Sequence, residues 1–322
     1  MKTIYIALFV AILTPFSHAL EAYQGQDIPV ESWRCGAPLV EALRQSDPDS
    51  LLNDAAGKLK LKESLEVISQ HNIDFQVAQM GKLSSDEQAL KSKIETTFQP
   101  AIVHRTDLVS AQIILTNGSG MVSASKRNAA AKVTPNIEQQ LFSGRDCLFA
   151  TVAPPYGTDS YGTVILRFKN DRGFAWGSIY TGWTWTQEVA QRAVTEPATD
   201  WMKRKFARQI YTNNHWGEAL AIQVITHIRA GSSIRGKGVA YDKNTVIAEL
   251  LKINKSEDFW KKLVAHRIAY IEAHYTDNIP VSDLSFAQFR TLDAATVVSW
   301  NLPAAWSAKD GASFIQFFNR TE

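Results

Sequence analysis

Three short segments hold polar side chains set among apolar neighbours: Ile102-Val103-His104-Arg105-Thr106, Cys147-Leu148-Phe149-Ala150-Thr151 and Trp216-Gly217-Glu218-Ala219-Leu220. In chain order they supply a cation at Arg105, a small hydroxyl at Thr151 and a carboxylate at Glu218. A guanidinium is a planar, permanently charged donor that suits phosphate oxygens. A fixed carboxylate stabilises the positive charge that develops when a glycosidic bond breaks. A hydroxyl between them orients either partner. The set therefore suits a site that binds an anionic dinucleotide and cleaves a glycosidic bond.

These residues need elements to position them. Ala101 to His104 reads as a strand after Pro100, and Asp107 caps a helix through Val109, Ile113 and Ile114 that Asn117-Gly118 ends. Strand-like runs follow at Cys147–Val152, Thr163–Phe168, Phe174–Tyr180 and Leu220–Ile228, with a helix expected over Thr186–Ile210, broken near Pro197. Residues 101–240 thus read as an α+β domain with a mostly β core. Before it, residues 20–100 read as a helical block. Pro38 to Gln45 is one piece, Leu61, Leu65 and Ile68 share a face of a second, and Ser84-Ser85-Asp86-Glu87 is a capping box opening a third. After it, residues 241–322 read as a helical block, with caps at Asp242 and Ser256.

The first 19 residues have the form of a secretory signal peptide: Lys2, an apolar run from Ile4 to Leu13, and small residues ending at Ala19. The mature chain is then expected in a secreted or periplasmic setting. No later run is long and apolar enough for a membrane helix. Two cysteines, Cys35 and Cys147, pair by default in an oxidising compartment; two separate buried thiols are the other reading. The formal net charge of +2 on 322 residues calls for neither nucleic acid nor an anionic membrane. HExxH, GxSxG, P-loop and GxGxxG patterns are all missing, which argues against the enzyme classes that rest on them.

Val103-His104-Arg105-Thr106, the following helix through Ala111-Gln112-Ile113-Ile114-Leu115 and the Asn117-Gly118 stop resemble the opening of ADP-ribosyltransferase toxins. Those begin with a strand bearing Arg, or His in the diphtheria-like branch. Leu148-Phe149-Ala150-Thr151 resembles their second motif, a strand presenting Ser or Thr, although Ala150 stands where many members have Ser. Tyr161 to Leu166 resembles the next strand, and Glu218 resembles the catalytic glutamate at the start of a late strand. The spacings, 46 residues from Arg105 to Thr151 and 67 from Thr151 to Glu218, are compatible with that family.

The resemblance implies an ADP-ribosyltransferase-like fold that binds NAD in a cleft between two strand layers and transfers ADP-ribose to a macromolecule, with NAD hydrolysis as a side reaction. It implies Arg105 or His104 as the NAD anchor, only one of which can face the cleft on a strand. It further implies Thr151 at the ribose, Glu218 at the transition state, and Tyr156 or Tyr161 stacked on nicotinamide. Trp216 stands two residues before Glu218, where arginine-modifying members carry a second Glu, so the acceptor stays open. A different reading places a carbohydrate- or protein-binding surface on Trp176, Tyr180, Trp183 and Trp185. A third is a hydrolase pairing Glu218 with a carboxylate such as Asp159.

Overall fold

The computed structural model describes residues 34–46, 59–99, 101–116, 120–126, 136–153, 162–168, 173–179, 197–230, 243–265, 271–300, 302 and 315–318. The signal-peptide segment, Tyr156, Asp159, Tyr161, Tyr180, Trp183 and Trp185 lie outside these residues.

Ten α-helices and eight strands are present among the described residues. The N-terminal part is helical, as expected: α1 (Ala37–Ser46), α2 (Leu61–Met80) and α3 (Ser85–Thr97). Ser84 caps α3 by accepting from Glu87 N–H, while the Glu87 carboxylate accepts from Ser84 N–H. Then come β1 (Ala101–Thr106), α4 (Leu108–Thr116), α5 (Asn136–Phe142), β2 (Leu148–Ala153), β3 (Val164–Phe168) and β4 (Ala175–Ile179). Asp107 caps α4 through Ser110 N–H, as its position before an apolar stretch predicts. The second half adds α6 (Asp200–Ala207), β5 (Ile210–Thr212), α7 (Trp216–Ala230), α8 (Lys243–Lys252), α9 (Ser256–Ala265), β6 (Ile271–Tyr275), β7 (Leu284–Arg290), α10 (Ala294–Val298) and β8 (Ile315–Phe318).

Two expectations are corrected. Leu220–Ile228 is not a strand but the body of helix α7. Its continuous apolar run has a helical cause: it is buried on two sides. Trp216, Ala219 and Ile222 pack on the sheet, and Leu220, Ala221, Val224, Ile225 and Ile228 pack on α3, α8 and α9. Such a run has no period that separates a buried strand from a doubly buried helix. The C-terminal residues are not wholly helical either, because β6, β7 and β8 follow α8 and α9.

All eight strands form one sheet in the order β5-β4-β6-β2-β1-β3-β7-β8, antiparallel throughout except for β7 and β8. It is a single sheet rather than the two strand layers the resemblance implies. Neighbouring partners point to the same side, so the pairing registers sort every side chain onto a face. On the first face Ile102, Val152, Ala150, Ile271, Ala273 and Leu166 meet α4 and α7. On the second face Trp176, Ile210 and Phe149 meet α1, α5, α6 and the early part of α2. Helix α2 also closes the edge at β5, where Asn72 donates to the carbonyls of Ala207 and Ile210 and Ser69 accepts from Thr212 N–H. A disulfide joins Cys35, just before α1, to Cys147, just before β2. No helix among the described residues is long and apolar enough to cross a membrane.

Candidate functional site

Arg105 and Thr151 come together, on the second face of the sheet. Thr151 sits directly across from Val103 on β1, and Arg105 follows Val103 by two residues and so shares its side. The Thr151 hydroxyl donates to Val103 O at 3.1 Å. His104 points to the opposite face, where its Nδ1 lies 2.8 Å from Phe149 O. Of the two candidate anchors, Arg105 is thus the one that shares a face with Thr151.

Glu218 does not join them. It lies in the first turn of α7, which packs on the first face, so the sheet separates it from Arg105 and Thr151. Its carboxylate meets Lys91 Nζ at 3.0 Å, and Lys91 also binds Glu95 one helical turn along α3. Burial draws the Lys91 ammonium down, but the two carboxylates outweigh it and leave the group above its ordinary value. These residues line an open depression of about 530 Å³ with Phe98, Asn213 and Asn214.

Trp216, which stands two residues before Glu218, is buried, and its indole N–H donates to Tyr211 O. The turn before it is tied to neighbouring elements. Asn213 Oδ1 accepts from Ala175 N–H, Asn214 reaches Glu66, and His215 Nδ1 lies 2.7 Å from Ser69 Oγ. Trp176, one of the four aromatic residues of the binding-surface reading, is fully buried against Phe142, Phe206 and His274.

The carboxylate that does stand beside Thr151 is Glu272. It lies on β6, directly across from Thr151 on one side and Ser178 on the other. A row of residues therefore runs across five strands of one face: Arg167, Val103, Thr151, Glu272 and Ser178. Adjacent strands are about 4.8 Å apart and Arg105 lies two residues beyond Val103, so the β1 cation and the β6 carboxylate are roughly 12 Å apart at the backbone. Arg167, on β3, adds a second guanidinium next to Val103 and lies over the Phe286 ring. One end of the row is thus cationic, the other acidic, and the hydroxyl stands between.

The acidic end is unusual for a sheet centre. Glu272 is 7% exposed and His274, two residues on, is 0% exposed. Among the described residues neither Glu272 Oε1 nor either His274 ring nitrogen has a hydrogen-bond partner, although His274 Nε2 comes within 3.4 Å of Glu272 Oε1. Buried polar atoms are nearly always satisfied, so a cluster left open points to a bound group or a reaction. Phe142, Phe149 and Trp176 enclose the His274 ring at centroid distances of 4.9, 4.8 and 4.2 Å. They fix it beside Glu272.

A second acid faces this end. Helix α5 lays Phe142 against His274, and Glu138 sits one turn earlier on the same stripe. Burial, with the nearby Glu272 charge added, pushes the Glu138 carboxyl up to about 8. Gly177 lets β4 close on this region: a Cβ there would lie 2.2 Å from Glu272 O.

Sequence reasoning missed Arg167, Glu272, His274 and Glu138. The available signal was the alternation in Ile271-Glu272-Ala273-His274-Tyr275, which is that of a strand. It was obscured because its polar members face a protein interior rather than water. Among the described residues no group of three or more His, Cys, Asp or Glu side chains is placed to hold a metal ion. No protein-family model and no curated protein matches this chain.

Proposed function

We propose that this protein cleaves NAD at the bond between nicotinamide and ribose and passes ADP-ribose to a nucleophile, with Glu272 as the catalytic carboxylate. The observation that carries the reading is the cross-strand row: a hydroxyl on β2 directly opposite a carboxylate on β6, with Arg105 on the same face of β1. The cation, hydroxyl and carboxylate keep the chain order found in ADP-ribosyltransferase toxins, and the carboxylate is again borne on a late strand. The strand is β6 and the residue Glu272, in place of Glu218 on α7.

Arg105 and Arg167 hold the pyrophosphate, each guanidinium offering paired N–H donors to phosphate oxygens. Thr151 and Glu272 receive the nicotinamide ribose. As the C–N bond breaks, its electron pair leaves on nicotinamide, which departs neutral, and positive charge spreads over the ribose C1′ and ring oxygen. The Glu272 carboxylate hydrogen-bonds a ribose hydroxyl and stabilises that charge from a position that needs no rearrangement. His274 is a positioning residue: caged by three aromatic rings, it limits where the Glu272 side chain can turn. The nucleophile then donates a lone pair to C1′.

The test is nicotinamide release from NAD by the purified protein. Glu272→Gln keeps the side-chain shape and removes the charge, so turnover is expected to fall by at least about 100-fold, the size of a lost electrostatic partner. Glu218→Gln provides the discriminating comparison. If Glu272→Gln retains full turnover, or if Glu218→Gln alone abolishes it, the site does not lie on this face.

A further inference from the structure

Glu138 has no part in the reading above, yet the fold aims it at the same place. Its neighbours on α5 are committed elsewhere: Gln139 Oε1 accepts from Arg145 N–H, and Gln140 Oε1 accepts from Ala198 N–H. Phe142, four residues on from Glu138, touches His274, so the stripe that carries Glu138 is the one turned to the sheet. It faces the end of the row where Glu272 Oε1 and both His274 nitrogens have no hydrogen-bond partner among the described residues. Glu138 is half-buried, so it keeps contact with solvent.

We propose that Glu138 is the proton acceptor of this site: its carboxylate takes a proton from the nucleophile, water in the simplest case, as that nucleophile attacks the ribose carbon held beside Glu272. The inference rests on the NAD-cleaving reading and adds the second half of its chemistry. The lone pair of water forms the new C1′–O bond, the C1′–nicotinamide bond breaks with its pair on nicotinamide, and the water proton goes to Glu138. The products are ADP-ribose, nicotinamide and a protonated Glu138 that releases its proton to solvent.

Two carboxyl groups in different environments separate into two roles. Glu272 serves as the fixed charge at the ribose. Glu138, raised to about 8 by burial and by Glu272, holds and gives up a proton near neutral pH, where a general base is most effective. The other charged groups on elements packed against α5 are Glu41 and Arg44 on α1, Arg145 and Asp146 in the turn that leads into β2, and Asp200, Lys203, Arg204 and Lys205 on α6. On α1, Glu41 binds Arg34 and Arg44 binds Ser64 and Leu59 O; on α6, Asp200 binds Lys203. On the strand that Glu138 faces, Glu272 and His274 share its side and Tyr275 takes the other.

The experiment measures nicotinamide release from NAD in water, without added acceptor, from pH 5.5 to 9.5, for wild type, Glu138→Gln and Glu138→Asp. Wild-type kcat/KM is expected to rise about tenfold per pH unit and level off above about 8, as the base form fills. Glu138→Gln is expected to lose about 100-fold at the plateau and to lose the rising limb, while its stabilisation by NAD in thermal melting is unchanged. Glu138→Asp restores a rising limb at reduced rate. If Glu138→Gln slows turnover but keeps the wild-type limb, Glu138 only supports the structure and the inference is overturned. Equal rates for wild type and Glu138→Gln overturn it too, and leave the NAD reading intact. If the wild type releases no nicotinamide at any pH, the NAD reading fails and takes this inference with it.

Discussion

Breaking the Cys35–Cys147 bridge will cost this protein a large share of its stability. The bridge spans a sequence separation of 112 residues. Closing a loop of that length removes chain entropy from the unfolded state worth about 5 kcal/mol on the loop-closure model. Typical domains are stable by only about 5–15 kcal/mol, so the loss is a third or more of the total. Both cysteines are buried in the cluster formed by Leu39, Phe142, Trp176 and Phe206, so removing the sulfurs adds a smaller packing cost. The assay is urea denaturation followed by tryptophan fluorescence, comparing the oxidised protein, the reduced protein and the double variant Cys35→Ala/Cys147→Ala. With a urea dependence near 3 kcal/mol per molar, the midpoint is expected to fall by about 1.5 M for the reduced protein. The cross-link also keeps the unfolded chain compact, so the urea dependence is expected to steepen when it is broken. A midpoint shift below about 0.3 M for both forms would refute the argument, because it would mean that the unfolded chain gains almost no freedom when the bridge opens.

Two other perturbations test the supporting structure. Arg229 binds both oxygens of the buried Glu87 and also donates to Met80 O and Lys82 O; its hydrogen bond holds the Glu87 carboxyl down at about 2. The folded value lies below the ordinary 4.5, so this stabilisation is present above pH 4.5 and is lost as pH falls towards 2. Glu87→Gln is expected to cost about 3 kcal/mol at pH 7 and to flatten the acid side of the stability profile in denaturation curves between pH 7 and 2. Gly177→Ala places a Cβ against Glu272 O and is expected to cost about 3 kcal/mol or more, read as a fall in melting temperature with loss of any stabilisation by NAD.

The parts of the fold that were legible in the sequence are those governed by local rules. The capping box at Ser84–Glu87, the Asp107 cap and the strands β1 to β4 stand where caps and apolar runs put them. Strand alternation lets only one of His104 and Arg105 share a face with Thr151, and that one is Arg105. The Glu218 segment misled because helix α7 is buried on two sides, which erases the polar stripe that marks an ordinary helix. Glu272 and His274 escaped for the opposite reason. Their strand has a clear alternation, but its polar face is turned to Trp176, Phe142 and Phe149 instead of to water. Glu138 carried no local signal at all, because its meaning depends on where α5 lands on a sheet assembled from distant residues.

The position of β6 has a consequence for when the molecule becomes complete. This strand, at residues 271–275, lies between β2 and β4, at 148–153 and 175–179. Synthesis runs from the N-terminus, so both flanking strands emerge about a hundred residues before the strand that joins them. Until then, Thr151 and Ser178 face an empty slot, and the row of side chains has cations without an acid. The growing chain therefore holds the pieces of the cross-strand row apart and brings them together in one late pairing event. A chain cut anywhere before residue 271 lacks the strand that both closes the sheet and delivers the carboxylate.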